Sequence, residues 1–186
     1  MESIKINPDS PQKWIPKKAL EEGKKMYMAV PRLSSLKCFL EVQVLPNIAA
    51  KASTIKGAFV YGTPIHPREI KQIDLIVSGS VAVNSSGERI GKGGGYPDVE
   101  FALACEFNLI DKITPIISTV HDLQILKESF PHLIYDIPLD FIFSPSQTLK
   151  CQSKQRRPVG IYWDLIKSEK LKQIPILQEI KEKGSY

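Results

Sequence analysis

The sequence predicts an α/β fold of three layers: a mostly parallel sheet flanked by helices, with a short helical appendage at the C-terminal end. Three observations carry this expectation. Short apolar runs rich in β-branched and aromatic residues recur along the 186 residues. Segments with helix-start signals lie between several of them. Runs such as Leu75-Ile76-Val77 and Pro115-Ile116-Ile117-Ser118-Thr119 show little alternation, as strands covered on both faces should.

Taken in order, strands are expected at 4–6, 26–30, 39–44, 58–61, 73–78, 116–120 and 141–143. The residues Asn7-Pro8-Asp9-Ser10-Pro11 read as a turn. A helix over 17–24 follows Pro16, which suits a first helical position, and Pro67 and Pro97 open two more over 67–72 and 97–107. Leu123, Leu126 and Phe130 lie at near-helical spacing, which predicts a helix over 122–129. After Gln147 the chain turns polar and basic, and 160–172 and 175–183 read as two short helices. The organisation expected is one α/β domain over 1–186, with sheet and flanking helices in 1–147 and the appendage in 148–186.

With 42% hydrophobic and 24% charged residues, the chain has the composition of a soluble globular protein rather than a disordered or collagen-like one. No apolar run is longer than Phe101-Ala102-Leu103-Ala104-Cys105, far shorter than the roughly 20 residues that span a bilayer. Met1-Glu2-Ser3-Ile4-Lys5 lacks the basic then apolar pattern of a secretory signal. Cys38, Cys105 and Cys151 are odd in number and form no C-x-x-C pair, and His66, His121 and His132 share no ligand spacing with them. A reducing cytoplasm is the expected location.

The net charge of +5 suits an anionic ligand without requiring nucleic acid. Basic residues thicken at Lys13, Lys17, Lys18, Lys24 and Lys25, and again at Lys150, Lys154, Arg156 and Arg157, without the interleaved aromatics of a single-strand platform. Binding of RNA by the later stretch is the weakest of three functional readings.

The most informative segment is Asn84-Ser85-Ser86-Gly87-Glu88-Arg89-Ile90-Gly91-Lys92-Gly93-Gly94-Gly95-Tyr96-Pro97-Asp98, which follows an apparent strand over 74–83 and opens the helix at Pro97. Four glycines in five positions let backbone amides approach a ligand and adopt positive φ. The helix start favours an anion, and Arg89 and Lys92 could bond phosphate oxygens. The Walker pattern fails because Gly93 follows Lys92, and the dinucleotide fingerprint fails at Tyr96. Asp98 and Glu100 would repel a polyphosphate unless a magnesium ion lay between Asp98 and the phosphates. His121-Asp122 has the look of a base and carboxylate, and Ser78-Gly79-Ser80 of a second close approach to ligand. Trp14 reads as a staple beside Pro16, while Tyr162 and Trp163 are expected to pack the appendage on the sheet.

At Ile73-Asp74-Leu75-Ile76-Val77 and, above all, Arg89-Ile90-Gly91-Lys92-Gly93-Gly94-Gly95-Tyr96-Pro97-Asp98, the chain resembles the 5-formyltetrahydrofolate cyclo-ligase family. The resemblance spans roughly residues 17 to 145 and continues at Asp136-Ile137-Pro138-Leu139-Asp140. It implies the three-layer fold and an ATP- and Mg²⁺-dependent cyclisation of 5-formyltetrahydrofolate to 5,10-methenyltetrahydrofolate. It implies further that Arg89, Gly91, Lys92, Gly93, Gly94, Gly95 and Tyr96 hold the nucleotide and that Asp98 organises the metal. The chain departs from the family pattern at Pro97, at Tyr135-Asp136 and at Thr63-Pro64. It also opens on a strand where relatives have a basic helix, so either Lys17, Lys18 or Arg156-Arg157 substitute for that helix's cations or the true start lies upstream of Met1. The competing reading is a non-catalytic nucleotide-binding protein that keeps the loop.

Overall fold

Strand β1 (Ser3–Ile6) is buried along its whole length, as a strand covered on both faces must be. In the computed structural model, which describes residues 1–7 and 12–184, it lies near the middle of an eight-stranded sheet. The expected turn falls on residues 8–11, outside the described residues. β1 pairs in parallel with β2 (Lys25–Ala29) on one side and β5 (Leu75–Val77) on the other. β8 (Ile116–Thr119) and β10 (Phe141–Phe143) extend the parallel core beyond β5. Antiparallel strands finish both edges: β3 (Phe39–Val42) and β4 (Thr63–Ile65) beyond β2, and β11 (Thr148–Lys150) beyond β10. The fold is α/β, as the sequence predicts.

From β1 the chain moves through α1 (Trp14–Glu21) to β2, whereas from β5 it moves the opposite way to β8 and β10. The carboxyl ends of β1 and β5 therefore flank a point where the strand order reverses, and such points leave a crevice. α1 begins before the expected start, with Pro16 its third residue. Its missing N–H is harmless there, because the first-turn amides have no intrahelical partner.

Three expectations fail for physical reasons. Residues 58–61 belong to a helix, α3 (Ile55–Tyr61), which follows the single turn α2 (Ala49–Ala52). Thr54 caps α3 by accepting the Gly57 amide, and Gly57 packs so tightly on α2 that a Cβ would sit 1.7 Å from the Lys51 carbonyl. The helix expected over 122–129 is reduced to a single 3₁₀ turn (Asp122–Gln124) closed by reciprocal His121 and Gln124 caps. Ile125 and Leu126 then form β9 (Ile125–Leu126), which pairs in parallel with β6 (Ala82–Asn84) in a second sheet. The 67–72 expectation likewise shrinks to one 3₁₀ turn, Pro67–Glu69.

At the C-terminal end, 160–172 resolves into a 3₁₀ turn (Trp163–Leu165) and α5 (Ser168–Gln173), and the last helix is α6 (Pro175–Lys183). Ile176, Leu177 and Ile180 on α6 are fully buried in the same apolar cluster as the sheet strands. Each contributes about 1.5–3 kcal/mol relative to exposure. Glu179 adds a contact from its Oε1 to His66 Nε2 at 3.3 Å. Among the described residues, no helix is long and apolar enough to cross a membrane.

Candidate functional site

The glycine segment divides into a hairpin and a loop. β6 pairs antiparallel with β7 (Arg89–Ile90), so the strand expected over 74–83 is two strands separated by a bend. Asn84 builds the turn: its Oδ1 accepts the amides of Ser86 and Glu88, each at 3.1 Å, and its Nδ2 donates to the Glu128 carbonyl at 2.9 Å. Glu88 accepts the Phe130 amide at 2.8 Å, which holds its carboxyl below the ordinary value, with Asn84 and Ser129 adding to the effect. The hairpin fixes Arg89 at the head of the loop.

Arg89 donates from Nη2 to Asp98 Oδ1 at 2.8 Å and from Nη1 to the Gly79 carbonyl at 3.3 Å. Its side chain is 5% exposed, and its buried Nε has no hydrogen-bond partner. Asp98 stands in the first turn of α4 (Tyr96–Glu106), which starts at Tyr96 with Pro97 second. Gly95 precedes it at φ +60° and provides no capping side chain, and Gly93 has φ +85°. Both lie in the left-handed region that glycine adopts without strain. Gly91, Gly94 and the exposed Lys92 complete the rim.

This loop walls a cleft of about 570 Å³ at the switch point between β1 and β5. Asn7, Gly79, Ser80, Asp98, Glu100 and Tyr135 also line it, so the Ser78-Gly79-Ser80 bend does approach the site. Loop amides at a helix start, beside an arginine with an unmatched N–H, can hold an anion.

Behind Glu100 in the cleft wall lies a charged group that the sequence analysis missed. Lys5, in the middle of β1 and 3% exposed, forms an ion pair with Glu100 of α4. Asn7 Nδ2 donates to Glu100 Oε2 at 2.9 Å, and Lys5 Nζ donates to Asn7 Oδ1 at 3.3 Å. Glu100 is therefore more than a neighbour of the helix dipole. The available signal was Lys5 itself, because a lysine between two isoleucines of a doubly covered strand must find an acidic partner.

Lys170 was missed as well. It reaches from α5 to the loop, donating to the Gly94 carbonyl at 2.8 Å with its ammonium 5.1 Å from the centre of the Tyr96 ring. Burial lowers its pKa. A second cavity of about 350 Å³ lies on this side of the loop, between α4 and the C-terminal segment. Three of the four cations expected to serve the loop are engaged elsewhere. Lys17 pairs with Glu21, Lys18 with Glu22, and Arg157 with Asp140 and the Thr114 carbonyl. Trp14 is 64% exposed under Lys13 and Lys17 and does not line the cleft.

His121 and Asp122 do not work as a pair. His121 Nδ1 accepts the Leu123 amide, and Asp122 Oδ1 accepts from Ser144 and Ser146. Cys105 is half-buried, and burial pushes its thiol up to about 11.

The 5-formyltetrahydrofolate cyclo-ligase family matches residues 2–145. Curated relatives called methenyltetrahydrofolate synthase domain-containing protein are 32% identical in Mus musculus, 34% in Bos taurus and 33% in Homo sapiens. These alignments cover 96–97% of this chain. The chain spans about half the length of those relatives, 48–50%. With the glycine loop at the switch point of an α/β sheet, the match over most of the sequence is decisive: the chain belongs to the 5-formyltetrahydrofolate cyclo-ligase family.

Proposed function

We propose that the chain binds ATP on the glycine loop and uses it to cyclise 5-formyltetrahydrofolate, or a closely related reduced folate, in the cytoplasm. One observation carries the reading: Gly93 and Gly95 at positive φ open α4 beside a buried arginine whose Nε is unmatched. Phosphate oxygens are the acceptors that such a cradle lacks. The reading places Arg89, Gly91, Lys92, Gly93, Gly94, Gly95 and Tyr96 around the phosphates. Asp98 would hold magnesium, a hard cation that takes one or two carboxylates together with phosphates. When bound there, the ion would offset phosphate charge.

The chemistry asked of the chain is positioning. The γ-phosphoryl group passes to the formyl oxygen and ADP departs. The neighbouring nitrogen then bonds to the formyl carbon and gives up its proton to solvent, and the C–O bond breaks with phosphate as the leaving group. Arg89 and the loop amides orient the transferring group and stabilise its charge. The 570 Å³ cleft has room for the reduced pterin next to the loop. The test is the absorbance of methenyltetrahydrofolate on mixing the purified chain with ATP, magnesium and 5-formyltetrahydrofolate. Product that requires ATP supports the ligase. Magnesium-dependent ATP binding without product would leave a nucleotide-binding protein.

A further inference from the structure

Lys170 is poorly served by the groups around it. It is half-buried, and among the described residues it makes no ion pair. Its direct contacts are one neutral carbonyl, at Gly94, and the face of Tyr96, with the Asp98 carboxylate near enough to favour the charged form without offsetting burial. A carbonyl and a ring face compensate a desolvated ammonium less well than an anion does. The ammonium also presses on the loop, where a Cβ at Gly95 would lie 2.9 Å from Nζ. Lys170 thus reaches the loop at Gly94 and Gly95 with only a neutral carbonyl as its hydrogen-bond acceptor, and Arg89 at the head of the same loop keeps a buried Nε with none.

The second cavity begins at that point. It shares Gly93, Gly94, Gly95 and Tyr96 with the main cleft and continues past Ala102 to Tyr162 and Ile166. Its 350 Å³ has room for a flat heterocycle among Tyr135, Tyr162, Ile161 and Ile166, with the charged Asp98, Lys167, Glu169 and Lys170 also in its lining. α5 and the turn before it, which form the far wall, lie beyond the residues matched by the family.

The geometry points to a nucleotide lying across the glycine loop, with Lys170 on its phosphates and its nucleoside in the second cavity, which leaves the main cleft to the other substrate. This rests on the nucleotide reading above. It makes Lys170 a binding residue supplied by the C-terminal segment, exchanging the Gly94 carbonyl for a phosphate oxygen when ligand arrives.

The test is calorimetric titration of Mg-ATP and of inorganic tripolyphosphate into four proteins: wild type, Lys170→Met, Ala102→Leu and Tyr162→Ala. Lys170→Met should weaken both probes about tenfold, the size of one charge-assisted bond, with Lys170→Arg restoring most of the loss. Ala102→Leu, which fills the cavity, and Tyr162→Ala, which removes a wall, should weaken ATP while tripolyphosphate binds as in wild type. Unchanged ATP affinity in Lys170→Met, or ATP losses matched by tripolyphosphate in both cavity variants, would overturn the inference and leave the loop as the phosphate site. A wild-type chain that binds neither probe would overturn the nucleotide reading and this inference together.

Discussion

Arg89 and Asp98 are nine positions apart in sequence and 2.8 Å apart in space, joined across the open side of the glycine loop. The hairpin presents the guanidinium, the first turn of α4 presents the carboxylate, and the five residues 91–95 arch between them. Since both side chains are nearly buried, removing one strands the other. Asp98→Ala should cost about 3 kcal/mol in urea unfolding, the scale for breaking a buried pair. A loss under about 0.5 kcal/mol, typical of surface changes, would mean that solvent screens the pair.

Gly95 is the position where the loop tolerates a side chain least. Its φ of +60° disfavours any L-residue, and a Cβ there would meet Lys170. Gly95→Val should cost about 1–2 kcal/mol of backbone strain, seen as a lower Tm, and should abolish ATP binding by calorimetry. Gly94, which has no positive φ, should tolerate alanine better, with the Tyr96 ring 3.0 Å from the new Cβ having to shift. Normal ATP affinity in Gly95→Val would make the loop a plain connector.

Arg89→Ala should weaken ATP more than AMP, because a fork of donors at the head of the loop serves the distal phosphates. Paired titrations decide this, and equal losses would move Arg89 away from the triphosphate.

The Lys5–Glu100 pair should behave as a buried pair rather than as two independent charges. Lys5→Met alone should destabilise by about 3 kcal/mol, and adding Glu100→Leu should recover much of that. Urea midpoints for both single variants and the double variant measure the coupling. Additive losses would show that the two side chains do not depend on each other.

The location of the site was legible in the sequence, but its partners were not. Four glycines ahead of Pro97 mark a loop at a helix start, and the apolar runs at β5 and β8 mark strands covered on both faces. α6 was legible to the residue because a proline start and Ile176, Leu177 and Ile180 agree. Residues 58–61 misled because a short apolar run has no period of its own, and the Thr54 cap with the Gly57 close approach decided for helix. Leu123 and Leu126 misled because pairing with β6 outweighed helical spacing. Lys170 left no local signal: it is one lysine among several on a polar helix, and only the docking of α6 beside it brings it to Gly94. The Lys5–Glu100 pair, 95 residues apart, became readable only once β1 was known to be buried on both faces.

Stability should fall on the acid side through identified carboxylates. The Glu2 amide holds the Asp74 carboxyl below its ordinary value, and the Phe130 amide does the same for Glu88. A lowered pKa in the folded state stabilises above the unfolded pKa, and that stabilisation is lost as pH falls through the folded value. The urea midpoint should therefore hold near neutrality and drop below about pH 4, and Glu88→Gln should flatten part of that drop. A midpoint independent of pH between 3 and 7 would contradict the assignment.

The account stands or falls on whether the loop feeds ATP to a reduced folate. The direct measurement is the rise in methenyltetrahydrofolate absorbance when the purified chain meets 5-formyltetrahydrofolate and magnesium, with and without ATP, run beside Gly95→Val. The account predicts product from the wild-type chain only when ATP is present, and none from Gly95→Val. Product formed at the same rate without ATP, or by Gly95→Val as fast as by wild type, would contradict it.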